Sequence, residues 1–153
     1  MAFSGSFYGF HVHKLNGFTE SIVKVVKGGE TVNPGDPISL EDDTAITTDA
    51  TLAIFGTFQG AAAVIGDGTK TISILVGKDI QYLVDNDNVG NTFAASGYGG
   101  GQYFDTIGNT GAVGIDTSSA SSTVGQVSCV DEAPDADDAS IGVFKVNSAE
   151  TQY

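Results

Sequence analysis

The chain has 153 residues, the length of one domain, and a domain of that size buries about two-thirds of its unfolded surface without disulfide staples. Six lysines, no arginine and nineteen acids give a net charge of −13, which argues against a nucleic-acid or anionic-membrane partner, because phosphates are held by basic patches and arginine forks. Glycine, at 21 residues, is about twice average usage, while hydrophobic residues remain at a globular 41%, so most of the chain is expected to fold.

Taken in chain order, ten short segments rich in β-branched and aromatic residues read as strands: 7–13, 21–27, 37–40, 52–58, 71–76, 80–84, 102–107, 112–116, 124–130 and 140–146. Turn chemistry separates them: Lys27-Gly28-Gly29-Glu30, Asn33-Pro34-Gly35-Asp36-Pro37, Gly66-Asp67-Gly68 and Asp85-Asn86-Asp87-Asn88. No long window carries a 3.6-residue apolar period free of Gly or Pro, so the crossover helices of a parallel sheet are missing and antiparallel sheets are expected. Residues 22–27 and 72–76 are apolar at both strand parities, which predicts strands covered on two faces, as in a sandwich, a barrel or a subunit contact. The serine-rich segment 116–123 reads as a loop, and the acidic, proline-broken segment 131–138 as an exposed one. The fold expected is all-β: a single antiparallel β-barrel or β-sandwich domain over residues 1–153, with 1–6 and 147–153 as extended termini.

Charge is uneven. Residues 1–78 hold five lysines and eight acids, and residues 79–153 one lysine and eleven acids, so the second half is the acidic one. The single Cys129 cannot form an intrachain disulfide, no paired CxxC motif is present, and no Asn-x-Ser/Thr acceptor occurs. Neither a basic, apolar leader nor a membrane-spanning helix is visible, which predicts synthesis and finishing in a cytoplasm.

Candidate chemistry is thin. His11 and His13 alternate with Val12, so on a strand both rings project from one face, but a third metal ligand would have to come from far along the chain. Ser21-Ile22-Val23-Lys24 matches Ser-x-x-Lys, yet its β-branched surroundings favour a strand, which sends residues three apart to opposite faces. Gly97-Tyr98-Gly99-Gly100-Gly101 lacks the lysine and following helix of a phosphate loop. Asp85-Asn86-Asp87-Asn88-Val89-Gly90 opens like a calcium loop, but Ser96 stands where the closing glutamate belongs; Asp135, Asp137 and Asp138 form a second cluster of oxygen donors. No catalytic, cofactor or metal residue is assigned.

The run Val32-Asn33-Pro34-Gly35-Asp36-Pro37-Ile38-Ser39-Leu40, followed by Leu52-Ala53-Ile54-Phe55-Gly56, resembles the head decoration (cement) proteins of tailed bacteriophages, in which a Pro-Gly-Asp turn feeds a compact β-barrel or β-tulip. Gly101-Gln102-Tyr103-Phe104-Asp105-Thr106-Ile107, Gly114-Ile115-Asp116, Val124-Gly125-Gln126-Val127 and Gly142-Val143-Phe144-Lys145-Val146 resemble virion structural proteins of T7-like marine phages. The resemblance implies a β-tulip-like, non-enzymatic protein without cofactors. Made in the host cytoplasm, it would sit on the capsid exterior, bridge neighbouring subunits of the major capsid protein and self-associate as a dimer or trimer. Exposed apolar side chains in terminal or glycine-rich segments would make the contacts: Phe3, Phe7, Tyr8, Phe10, Tyr98, Tyr103 and Phe104. The alternative is a tail or fibre β-sandwich that stacks tyrosines on a host surface glycan, a reading weakened by the absence of tryptophan.

Overall fold

A computed structural model describes residues 8–49, 51–85, 103–131 and 141–147. They form thirteen strands and no helix: β1 (His11–Lys14), β2 (Glu20–Val25), β3 (Thr31–Val32), β4 (Pro37–Glu41), β5 (Thr44–Thr47), β6 (Gly56–Phe58), β7 (Val64–Ile65), β8 (Thr71–Val76), β9 (Gln81–Asp85), β10 (Tyr103–Ile107), β11 (Gly114–Ser121), β12 (Val127–Asp131) and β13 (Ile141–Val146). The expected all-β, antiparallel class is what the chain adopts. Every pairing between named strands is antiparallel, in a six-stranded sheet β1-β9-β13-β12-β10-β11, a five-stranded sheet β2-β8-β6-β4-β5 and a two-stranded β3-β7 ribbon.

The five-stranded sheet curls until its two edge strands meet at one end, where Val26 and Ala45 form a parallel bridge and the Lys27 N–H donates to the Ala45 carbonyl at 3.0 Å. It is not closed as a barrel. Its interior is a compact core of Val26, Val32, Ile38, Phe55, Phe58 and Ile74 with their neighbours. The six-stranded sheet has its own core, with Phe10, Tyr82, Phe104 and Phe144 as its largest members. Edge-to-face pairs fix that core: Phe10 on Tyr82 at 5.4 Å between ring centroids, and Phe104 on Phe144 at 5.9 Å.

Period-two alternation explains how the two cores share one sheet. Along β8, Ile72, Ile74 and Val76 face the curled interior, whereas Leu75 packs on the second core. Ile54 and Phe55, consecutive on an extended segment, likewise divide between the cores. The six-stranded sheet therefore lies against the outer face of the curled one, and Thr57 of β6 donates its hydroxyl to the buried Tyr82 hydroxyl across that contact at 3.1 Å. Close packing of β6 on β8 requires glycine at position 56, where a Cβ would sit 2.4 Å from the Leu75 carbonyl oxygen.

A second tie is the Asn33–Asp36 turn. Pro34 and the positive φ of Gly35 (88°) suit a type II turn, closed by the Asp36 N–H on the Asn33 carbonyl at 3.0 Å. The buried Asp36 carboxylate accepts from the Asn33 N–H at 2.8 Å and, from the far half of the chain, from the Gly111 N–H at 2.9 Å and the Thr110 hydroxyl. Gly35 in turn accepts from the Phe10 N–H at 2.7 Å. A third tie is Gln126: its Oε1 accepts from the Thr106 N–H and hydroxyl, and its Nε2 donates to the carbonyls of Asp49 and Leu52.

Several expectations need correction. Strands β3, β5 and β7 were not foreseen. The segment 116–123 is not a loop up to Ser121 but the long strand β11, whose serines are held by local bonds. Asp116 Oδ1 accepts from Ser118 N–H and hydroxyl, and Ser119 donates to the Asp116 carbonyl. The register between β10 and β11 shifts there, so the extra residues bulge out rather than break the pairing. Of the two segments expected to be covered on both faces, β8 packs Ile72, Ile74 and Val76 on one core and Leu75 on the other, whereas Val23 of β2 is exposed in the single chain; β13, where Ile141 to Phe144 are all buried, is covered on both. Asn147, expected in an extended terminus, is buried, with its N–H on the Gln126 carbonyl and its amide on the Gly125 carbonyl.

Candidate interaction surface

Of the seven residues expected at a partner surface, four are described. Tyr8 is exposed at 48%, and its carbonyl lies 2.6 Å from His11 Nε2. Tyr103 is half-buried in β10 opposite Ser121 and Ser128. Phe10 and Phe104 are fully buried and are corrected to core residues: each ring is held edge-on by another aromatic, and neither offers area to a partner while the chain is folded. Phe3, Phe7 and Tyr98 lie outside the described residues, as do the Gly97–Gly101 stretch and the Asp135, Asp137, Asp138 cluster. The structure brings Tyr8 near the start of β1 and does not join it to Tyr103.

Other side chains supply what the aromatics do not. The large apolar residues exposed among those described include Tyr8, Val12 at 38%, Leu15 at 61% and Phe18 at 73%, four within eleven residues. This strip runs along β1, an edge of the six-stranded sheet, into the connection to β2, an edge of the five-stranded sheet. It therefore lies where both sheets end. Every residue of β1 is exposed. The Phe18 carbonyl lies close to Gly77, where a Cβ would approach it to 2.9 Å. Gly17 has φ +66° and lies beside the Asp79 side chain, so the turn presenting Phe18 favours glycine for its conformation. The sequence signal was available: an aromatic beside Asn16-Gly17 inside a run of nineteen residues without one acid.

The stretch of sequence that holds the strip differs in charge from the rest of the chain, although the Asp79 carboxylate lies beside Gly17. Residues 1–19 contain Lys14, His11 and His13 and no Asp or Glu. The acidic counterpart is the β4–β5 hairpin tip, Glu41-Asp42-Asp43, where Lys24 and Lys27 of the neighbouring edge donate to Asp43 and Glu41. The hydrogen bond and charge of Glu41 hold the Lys27 ammonium above its ordinary pKa. Ser21 and Lys24 lie on a paired strand three residues apart, facing opposite sides, and Lys24 is engaged with Asp43, so no nucleophile and base come together.

Among the described residues no group of three or more His, Cys, Asp or Glu side chains is placed to hold a metal ion, and Cys129 is buried in the core. Asp85, at the end of β9, is buried opposite Ile141. No helix among the described residues is long and apolar enough to cross a membrane. In comparisons with known proteins, no family model and no curated protein matches the chain.

Proposed function

We propose that this chain is a non-enzymatic virion structural protein that decorates the exterior of an assembled phage capsid and stabilises it by bridging major capsid protein subunits, acting as a dimer or trimer. The observation that carries this reading is the strip Tyr8–Phe18, four exposed apolar side chains at a sheet edge, in a stretch of sequence without an acid on a chain of net charge −13. Contiguous exposed apolar side chains beside polar groups are typical of protein–protein contacts. The strongly acidic remainder keeps a protein soluble when many copies crowd one surface. Further support comes from the Pro34-Gly35-Asp36 turn, which carries the resemblance to head decoration proteins and is also the joint between the two halves of the fold.

A clamp on a shell must resist separation of its own parts. The three buried polar ties, through Asp36, Gln126 and the Thr57–Tyr82 hydroxyl pair, join segments far apart in sequence and suit that demand. The reading is tested by adding the purified chain to capsid shells that lack it. Saturable co-sedimentation and a raised shell disruption temperature are expected. Failure to bind intact shells contradicts the reading, and binding confined to tails or fibres favours glycan or host recognition instead.

A further inference from the structure

We propose that Asn16-Gly17, in the exposed connection between β1 and β2, is a site of spontaneous covalent modification at which Asn16 is converted to isoaspartate and aspartate. The proposal concerns this chain's own backbone and does not depend on a capsid partner.

The chemistry is intramolecular. The Gly17 backbone nitrogen attacks Asn16 Cγ and a C–N bond forms. The bond from Cγ to the side-chain nitrogen breaks, and ammonia leaves with the proton of the Gly17 N–H. Solvent water then opens the five-membered succinimide at either carbonyl, so the main chain runs on through Cγ as isoaspartate or through the original carbonyl as aspartate. Nothing is oxidised or reduced. Such a ring closes readily where the two groups are already tethered, the attacking nitrogen is uncrowded and no competing bond holds either group.

The structure meets those needs at position 16. This is the one Asn-Gly in the chain, and with glycine next no side chain crowds the attacking nitrogen. Asn16 and Gly17 are both exposed, so water and hydroxide reach them. Neither belongs to a strand, and among the described residues neither the Asn16 side chain nor the Gly17 N–H is in a hydrogen bond that ring closure would have to break. The other described asparagines each lack something. Asn33 precedes Pro34, which has no N–H, and its amide donates to Thr110 at 2.8 Å. Asn147 is buried, with its amide on the Gly125 carbonyl at 2.8 Å. Asn109 is exposed, but the β-branched Thr110 follows it. The chain's one Asp-Gly, Asp67-Gly68, has the same glycine neighbour, yet Asp67 Oδ1 accepts from the Thr69 N–H and hydroxyl and from the Lys70 N–H, which holds the carboxylate in its ionised, unreactive form.

Position gives the change its consequence. Residues 1–19 contain no Asp or Glu, so conversion places an acid in that stretch, close to the Asp79 side chain that lies beside Gly17. Isoaspartate also adds one methylene to the main chain between Leu15 and Phe18, the two most exposed apolar side chains of the strip. The strip therefore changes in charge and in shape as the protein ages.

The test is incubation of the folded full chain at pH 7 and pH 8, read by peptide mapping in the mass spectrometer and by methyl labelling of isoaspartyl carboxyls with an isoaspartate methyltransferase. Residue 16 is expected to gain the mass of amide-to-acid exchange and to yield isoaspartate as well as aspartate, at a rate comparable with that of the guanidinium-unfolded chain. The rate should be about tenfold higher at pH 8 than at pH 7, because the attacking nitrogen must lose its proton. Asn16→Gln, which would have to close a six-membered ring, is expected to lose the labelling while melting at the wild-type temperature. An Asn16 that stays intact in the folded chain after the unfolded chain has converted overturns the proposal. So does labelling undiminished in Asn16→Gln, or conversion to aspartate alone, which would mean direct hydrolysis of the side chain without the ring.

Discussion

The Thr110 hydroxyl donates to Asp36 Oδ2 across 74 residues of chain, and the same carboxylate also takes the N–H groups of Asn33 and Gly111. One buried side chain thus closes its own turn and pins the turn of the opposite half. Removing it leaves several donors without an acceptor in a site where water cannot easily replace it. Asp36→Ala is expected to cost about 3 kcal/mol or more, and Thr110→Val about 1–2 kcal/mol. In a double-mutant cycle by urea denaturation the two should be non-additive. Additive, sub-kilocalorie effects would mean that the joint does not stabilise the fold.

Gln126 presents its amide nitrogen to two backbone carbonyls, those of Asp49 and Leu52. Gln126→Glu would set a carboxylate oxygen against them, so its ionised form is disfavoured in the folded state. The variant's penalty is small below the ordinary glutamate pKa of about 4.3 and grows as pH rises, reaching about 3 kcal/mol or more at neutrality. Urea midpoints of wild type and variant, compared from pH 4 to 7, check both sign and size.

At the β4–β5 hairpin, Asp42 (φ 49°) and Asp43 (φ 64°) both occupy the left-handed region in a two-residue loop. Such a loop favours Asn-Gly, and adjacent carboxylates repel. The double variant Asp42→Asn/Asp43→Gly should stabilise the protein by about 1 kcal/mol. Loss of the exposed Lys24–Asp43 pair subtracts only a few tenths. A lower melting temperature would refute the turn assignment.

Burial pushes the Tyr82 hydroxyl up to about 12, against a smaller downward pull from Thr57. A raised pKa means that the folded state holds its proton where the unfolded chain has lost it. This contribution is intact below about pH 10 and is lost as pH rises toward about 12, by about 3 kcal/mol in all. Alkaline titration of tyrosinate absorbance should show one tyrosine ionising only with unfolding, and Tyr82→Phe should remove that late step.

On the acid side, the Thr69 hydroxyl, the Thr69 N–H and the Lys70 N–H hold the Asp67 carboxyl down to about 2. A lowered pKa contributes stability that is present above about pH 4 and lost as pH falls toward about 2. Carbon-detected NMR titration should give Asp67 a midpoint well below those of exposed carboxyls, and Thr69→Ala should raise it.

The strands were largely legible because Gly, Asn, Asp and Pro punctuate runs of β-branched residues, and all ten expected segments contain a strand. What escaped has physical reasons. β3 and β7 have two residues each, too short for periodicity, and Thr44-Ala45-Ile46-Thr47 follows a two-residue turn made by Asp-Asp instead of Asn-Gly. The serines of β11 read as loop because their competition for backbone groups is local, whereas the pairing with β10 that overrides it is not. The surface was legible only in part. Tyr8 is exposed as expected, but Phe10, just before β1, is a core residue, and nothing in a single sequence distinguishes an aromatic that caps a core from one that leaves it. Phe18 escaped because its exposure depends on how the β1–β2 connection lies on the folded domain, which local sequence does not encode.

The central claim, decoration of a shell, is tested most directly by the copy number of this chain in gradient-purified virions, measured by quantitative mass spectrometry against the major capsid protein. The account predicts an abundance of the same order as the shell subunit. A few copies per particle, or none, would contradict it.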